Sequence, residues 1–400
     1  MTGHRPSRAQ SNPELIEHKS RAINTALPHV LFVRRMVNFI KRTILGAVRS
    51  AGYEIIRLDA PRAAAEAPPV AIPPAATEVV PSPEHVPPPA SAAPSAPTKT
   101  LVDRWMDRTM MIAGVQAVRT QRTLQRINTL ADVEVCVFSQ FGEDGILDWL
   151  VEKLPISRPT FIEIGVGNYL EANTRFLLRH RNWRGLIIDG APEIAQLKTD
   201  DVSWAHDLTA VSAFVTAENV SSIVKSAGFD APVGILSVDI DGVDYWVLKQ
   251  LLWLKPDIVI CEYNAVLGDI HPVTVPYNPG FDRRTVPGTS RLYYGASIQA
   301  FVSLLQDYTL AGTAVAGGNA FFVRNDIFGT IAGSIADTYP RPSLFRESYG
   351  PDGQLTFIGG LDRLAQITSQ PVVDLRTGQV TTIGALGNPY SERWLHQMGR

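Results

Sequence analysis

From residue 133 onward, short apolar runs alternate with stretches of helical periodicity, and this alternation restricts the fold more than any other feature. "GEDGILDWLVEKL" reads as helix, "TFIEIG" as strand, "EANTRFLLRHR" as helix and "RGLIID" as strand. "TAVSAFVT" reads as a third strand, "ENVSSIVKSAG" as helix, "VGILSVDID" as strand, "VDYWVLKQLLWL" as helix and "PDIVICEYN" as strand. Strands separated by helices of this length indicate a parallel sheet, whose strands are apolar on both faces because helices cover both. "YTLAGTAV" and "AFFVRND", joined by Gly317-Gly318-Asn319, read as a closing hairpin. The expected fold is α/β: a Rossmann-type sheet, mostly parallel, with a C-terminal antiparallel hairpin and α helices on both faces.

Four regions follow. Residues 1–59 carry ten Lys/Arg against four Asp/Glu. Within them Val33, Val37, Ile40, Ile44 and Val48 have helical spacing, flanked by Arg34, Arg35, Lys41, Arg42 and Arg49. Such a basic amphipathic helix, over about residues 28–50, suits either an anionic membrane surface or packing against protein. Residues 60–99 are dominated by Pro and Ala and form an expected disordered tether. Residues 100–130 read as a connecting helix, and residues 131–400 as the catalytic domain. The net charge of −2 gives no electrostatic footprint for nucleic acid. The two cysteines, Cys136 and Cys261, lack metal spacing and suit a reducing compartment. No signal-peptide pattern is present, so the expected location is cytoplasmic, peripheral at the inner face of a membrane if the arm binds lipid.

Open α/β sheets bind ligands outside the carboxyl ends of their strands. Here those ends carry Glu163, Asp189, Asp239 with Asp241, and Glu262 with Asn264. After the first strand Gly165 and Gly167 allow a tight turn and a close approach of backbone to ligand, so a side chain at Gly165 is expected to enter the ligand's path. A dinucleotide fingerprint would want a third glycine where Leu170 stands, and no Gly-Lys-Ser/Thr follows for a P-loop. Asp189, 26 residues after Glu163, suits the two ribose hydroxyls of an adenosine. Glu163 suits a cationic centre. S-adenosylmethionine combines both groups.

The segments "FSQFGEDGIL", "FIEIGVGNYLEANTRFLL", "NWRGLIIDG", "ILSVDIDGVDYWVLKQL", "VICEYNAVLG" and "GGNAFFVRND" resemble FkbM-type S-adenosylmethionine-dependent methyltransferases over about residues 136–330. The resemblance implies a class I methyltransferase-like fold. It implies a cofactor loop of Glu163, Gly165, Gly167 and Asn168, with Asp189 as the ribose acid. It also brings Gln140, Glu143 and Asp144 to the methionyl end and Glu218 or Asn219 to the adenine. Those relatives more often carry Asp-Gly where Asn168-Tyr169 stands here. The implied acceptor is a hydroxyl on a sugar, a polysaccharide or a polyketide-like product.

A sugar hydroxyl is a poor nucleophile until a base takes its proton or a metal lowers its pKa. Asp239, Asp241, Glu262 and Asn264 end neighbouring strands and could share Mg²⁺ or Mn²⁺. Otherwise Asp239 touches the cofactor amine and Asp241, Glu262 or His271 serves as base. Tyr293 and Tyr294 offer flat faces to a sugar, or pack in the core. Two other readings stand beside this one. Asp239-Ile240-Asp241 also fits the DxD signature of metal-dependent nucleotide-sugar glycosyltransferases, and the domain could be an inactive tethered scaffold.

Overall fold

The structure, a computed structural model, describes residues 101–197 and 204–399. The basic arm and the Pro/Ala tether lie outside the described residues. The chain forms α1 (Leu101–Gln121), α2 (Glu143–Lys153), β1 (Thr160–Ile164), α3 (Arg175–Arg181), β2 (Arg184–Asp189), α4 (Glu193–Gln196) and β3 (Leu208–Ser212). It continues with α5 (Val220–Ser226), β4 (Ile235–Val238), α6 (Asp244–Lys249), β5 (Ile258–Glu262), β6 (Val273–Thr274), α7 (Ile298–Leu304), β7 (Tyr308–Thr313) and β8 (Asn319–Arg324). The last elements are α8 (Asn325–Phe328), α9 (Leu361–Ala365), β9 (Pro371–Asp374), β10 (Gln379–Thr382) and α10 (Glu392–Gln397).

Seven strands make one sheet in the order β3-β2-β1-β4-β5-β8-β7. The five strands β1 to β5 pair in parallel, while β8 runs antiparallel to both β5 and β7. The expected parallel sheet with a closing hairpin is therefore present.

The two-residue period of a strand explains how each buries itself. Ile162, Ile164, Leu186, Ile188, Leu236, Val238, Val259 and Cys261 face one side, against Val220 and Val224 of α5, Val247 and Leu248 of α6 and Phe301 of α7. Phe161, Ile187, Ile235, Ile258 and Ile260 face the other, against Ile146, Trp149 and Leu150 of α2 and Leu177 and Leu178 of α3. Each fully buried Val, Leu, Ile or Phe side chain contributes about 1.5–3 kcal/mol by leaving water. Asp148 pins this second layer from within: its buried carboxylate accepts from Arg122 Nε at 2.7 Å, just beyond α1, and from Arg181 Nε of α3 at 2.8 Å.

Residues beyond the hairpin show no strand–helix alternation in sequence, and they fold differently. A second, antiparallel sheet β10-β9-β6 joins them to the segment after β5. Asp269 fastens the end of the chain there, accepting from the Ser391 amide at 2.9 Å, from Ser391 Oγ at 2.6 Å and from the Tyr339 hydroxyl. This strapping brings the stretch around 341–363 over the carboxyl ends of the central strands.

Candidate functional site

Register places the ends of β2, β1, β4 and β5 side by side, with Glu163 paired to both Ile187 and Ser237 and Val238 paired to Cys261. Beyond those ends opens a cleft of about 1220 Å³. One wall carries Gly165, Gly167, Asn168 and Asp189, with Phe214 close by. The floor carries Asp239, Asp241, Glu262 and Tyr294, and the far rim Phe345, Arg346 and Arg363.

The glycine loop is built by backbone demands. Gly165 has φ 86°, and a Cβ there would lie 1.5 Å from the Asp239 carbonyl oxygen. The expectation that its side chain would enter the ligand's path is corrected, because the obstruction is the neighbouring strand's own backbone. Gly167 has φ 52°, and a Cβ there would meet nothing within 4 Å, so this position opens on the cleft. Its amide donates to Asp189 Oδ2 at 2.7 Å, while the Ala191 amide donates to Oδ1 at 2.7 Å. Each carboxylate oxygen of Asp189 keeps a second lone pair for a ligand hydroxyl. Asn168 is exposed on the cleft wall, its side-chain oxygen accepting from the Leu170 amide at 2.9 Å. Tyr169 follows at φ 59°, a left-handed conformation that glycine adopts without strain. This chain holds a tyrosine there by burying it completely, with Arg175 donating to its carbonyl at 2.7 Å and stacking 5.3 Å from its ring centre.

Several acids expected at the ligand turn back into the protein. Glu163 is buried, accepts from the Asn173 amide at 2.8 Å and the Thr174 amide at 3.0 Å, and also takes the Thr174 hydroxyl. Burial pushes its carboxyl up to about 7. Asp144 clamps the preceding loop, with one oxygen accepting from the amides of Val137, Phe138 and Ser139 at 2.6–2.8 Å. Burial pushes it up to about 6. Glu143 accepts from the Phe141 amide at 3.0 Å and Asn319 Nδ2 at 3.0 Å. None of the three lines the cleft, although the expectation put them at a ligand. Gln140 does line the cleft, donating to Glu171 at 3.3 Å.

On the adenine side the expectation also changes. Asn219 spans the turn before α5, accepting from the Thr216 amide at 2.8 Å and donating to the Phe214 carbonyl at 2.9 Å. Glu218 is exposed and accepts from the Tyr277 hydroxyl at 2.5 Å. Neither lines the cleft; Phe214 does, and it is 64% exposed. Its place in a mixed run after β3 carried no signal that separates a ligand platform from a core residue.

At the floor, Asp239, Asp241 and Glu262 offer oxygens all within 4.8 Å of one another. Asp239 and Glu262 are held well above the usual carboxylate range, first by burial and then by neighbouring carboxylates. Asp241 is also raised by burial, against the pull of Arg283 Nη1 at 3.2 Å. Three carboxylates this close cannot all ionise without a compensating charge. Asp241 sits at φ 55°, held by Asp244, whose oxygens accept from the Ile240 amide at 2.7 Å and the Gly242 amide at 2.9 Å. The Tyr294 hydroxyl donates to Glu262 at 3.3 Å, and the Arg283 guanidinium lies 4.8 Å from the Tyr294 ring centre.

The two other residues expected here are placed differently. Asn264 serves as a helix cap: it accepts from the Val266 amide at 3.0 Å and donates to the carbonyls of Leu292 and Tyr294 at 2.9 and 3.0 Å. It lines the cleft, and the cap uses one of the two lone pairs of its oxygen. His271 does not line the cleft; it stands beside β6, its carbonyl accepting from Ser297 Oγ at 2.6 Å, so its ring is not placed to act as the base. Tyr293 is core, donating to the Pro371 carbonyl at 2.5 Å.

This strand order, with an antiparallel strand inserted beside β5 and a ligand cleft over β1, β2 and β4, defines a Rossmann-like fold of the class I methyltransferase type. No family model matches the chain, and no curated protein does. Among solved structures, a candidate O-methyltransferase from Nostoc punctiforme PCC 73102 is 15% identical, covering 55% of this chain and 71% of its own, with a TM-score of 0.29. An O-methyltransferase family protein from Burkholderia thailandensis is 15% identical over 56% of this chain and 62% of its own, with a TM-score of 0.27. An O-methyltransferase family 2 protein from Planctomyces limnophilus DSM 3776, in complex with apigenin, is 13% identical over 55% and 61%, with a TM-score of 0.26. Those overlaps are partial, and the fold assignment rests on strand order and register. No helix among the described residues is long and apolar enough to cross a membrane.

Proposed function

We propose that the protein is an S-adenosylmethionine-dependent O-methyltransferase of FkbM-like type. The observation that carries the reading is the wall formed by Gly167, Asp189 and Phe214 at the ends of β1, β2 and β3. Asp189 is fixed by two amides and keeps lone pairs for both ribose hydroxyls. Phe214 offers a flat apolar face to a purine, and the open space at Gly167 lets backbone approach the ligand. The acids near the floor, above all Asp239, suit the positive charge of the methionyl end. When bound, the cofactor supplies an electrophilic methyl group on a sulfonium. This chain's residues align the acceptor and take its proton. Glu262, raised by burial and held by Tyr294, is the group placed to receive a hydroxyl proton, and Asp241 beside it is oriented by Arg283.

The acceptor is proposed to be a sugar or polysaccharide hydroxyl, with Tyr294 and Phe345 as aromatic faces along the rim. The basic arm over residues 28–50 is proposed to hold the enzyme at an anionic membrane surface on the cytoplasmic side, close to lipid-linked acceptors. Asp189→Ala is expected to weaken S-adenosylmethionine binding by roughly 1.5–3 kcal/mol, the range for hydrogen bonds to a charged group. Titration calorimetry reads this directly, and an unchanged affinity would remove Asp189 from the cofactor site.

One observation favours a second reading. The clustering of Asp239, Asp241 and Glu262 is also what Mg²⁺ or Mn²⁺ takes. The donor set fits only in part, since Arg283 already faces Asp241.

A further inference from the structure

Four arginines line the cleft, and they differ in what they face. Arg283 is matched to Asp241 at 3.2 Å and Glu347 at 3.4 Å. Arg284 is matched to Asp282 at 2.8 Å. Arg346 and Arg363 form no ion pair among the described residues. Arg346 is exposed on the rim. Arg363, at the start of α9, is only 9% exposed; Nη1 donates to the Phe345 carbonyl at 3.0 Å, and Nε is buried with no hydrogen-bond partner among the described residues. A buried guanidinium with no carboxylate in ion-pair contact carries a desolvation cost that an anion or further hydrogen bonds can offset. Burial accordingly lowers its pKa, against the weaker pull of Tyr294, Tyr390 and Glu347.

Arg363 lines the same cleft as Tyr294, whose hydroxyl donates to Glu262. An anion held by Arg363 would thus lie in the cleft that holds the proposed base. Both arginines come from the C-terminal segment strapped over the strand ends, outside the stretch that resembles FkbM proteins.

Resting on the methyltransferase reading, we propose that the acceptor is an anion: a hydroxylated molecule whose carboxylate or phosphate is gripped by Arg363 and Arg346 while its hydroxyl lies at Glu262. Guanidinium groups suit both oxyanions, through paired N–H donors that a neutral sugar cannot match. A uronate-type sugar and a sugar phosphate are the two sources of that chemistry.

The test titrates the full chain, with and without saturating S-adenosylhomocysteine, using D-glucose, D-glucuronate and D-glucose 6-phosphate at low ionic strength. Tighter binding of glucuronate or of the phosphate names the source. At least one charged probe is expected to bind about tenfold or more tightly than glucose, and 0.5 M salt is expected to weaken it. Arg363→Met and Arg346→Ala should each lower that affinity about tenfold, with S-adenosylhomocysteine affinity unchanged. Arg346→Ala alters an exposed side chain, so it keeps the test valid if Arg363→Met fails to fold; Arg363→Lys should recover part of the binding. Equal binding of all three probes, no binding of either anion, or anion binding indifferent to both variants would overturn the proposal. Anion binding without S-adenosylhomocysteine binding would instead keep the anion subsite and remove the methyltransferase reading.

Discussion

Gly165→Ala is expected to destabilise the protein by about 3–5 kcal/mol, the sum of left-handed backbone strain and overpacking in a tight contact. The position has φ 86°, and the added methyl would sit 1.5 Å from the Asp239 carbonyl oxygen. That oxygen belongs to the backbone just beyond the adjacent strand β4, where the Asp239 amide donates to the Ile164 carbonyl at 3.0 Å. Relief therefore requires β1 and β4 to part at their carboxyl ends, which carries Asp239 away from Glu262. Chemical denaturation should show the loss, together with loss of ligand binding. Gly167→Ala is the control: it has φ 52° and open space, so it should cost about 1–2 kcal/mol and act mainly on ligand affinity. A Gly165→Ala protein with wild-type stability would mean that the β1–β4 contact is not as tight as described.

Glu262→Gln should lower kcat by about 10²–10⁴-fold, the range for loss of a positioned general base. The pH dependence gives the sign. Burial and the neighbouring Asp239 raise the Glu262 pKa, so the proposed base is protonated and idle at low pH. Activity should rise with pH along an acidic limb displaced upward from the ordinary carboxylate range, and Glu262→Gln should remove that limb. Three other buried acids with raised pKa values act on stability with the opposite slope. Glu163 (about 7), Asp144 (about 6) and Asp244 (about 6) hold their protons more tightly when folded. Their contribution is fully present below the unfolded values near 4 and is lost as pH rises through about 6–7. Wild-type turnover should survive EDTA, because Arg283 already supplies positive charge to the trio. Loss of turnover in chelator, restored by Mg²⁺ or Mn²⁺, would assign Asp239, Asp241 and Glu262 to a cation instead.

The fold was legible because its strands declare themselves twice over. Phe161-Ile162 in β1 and Leu186-Ile187-Ile188 in β2 are apolar at consecutive positions, which only a sheet covered on both faces explains. Which strand-end acids meet a ligand was not legible. Glu163 and Asp189 both stand near a strand end, but Glu163 pairs with Ile187, two residues short of Asp189, and bends back to the Asn173 and Thr174 amides while Asp189 stays on the cleft. Register and the path of the following loop make the choice, and residue type does not encode either locally. Arg363 lies about a hundred residues beyond Glu262, in a stretch without periodicity, and only the second sheet brings the two to one cleft. Asn264 and Asn219 show the converse case, since a short polar side chain after a strand serves a backbone cap as readily as a ligand.

Calorimetric titration of S-adenosylmethionine into the full-length protein tests the central claim most directly. The account predicts saturable binding at one site per chain, competed by S-adenosylhomocysteine and independent of divalent cation. Heat only from a nucleotide-sugar in the presence of Mn²⁺, with none from S-adenosylmethionine, would contradict it and turn Asp239 and Asp241 into the DxD pair of a glycosyltransferase.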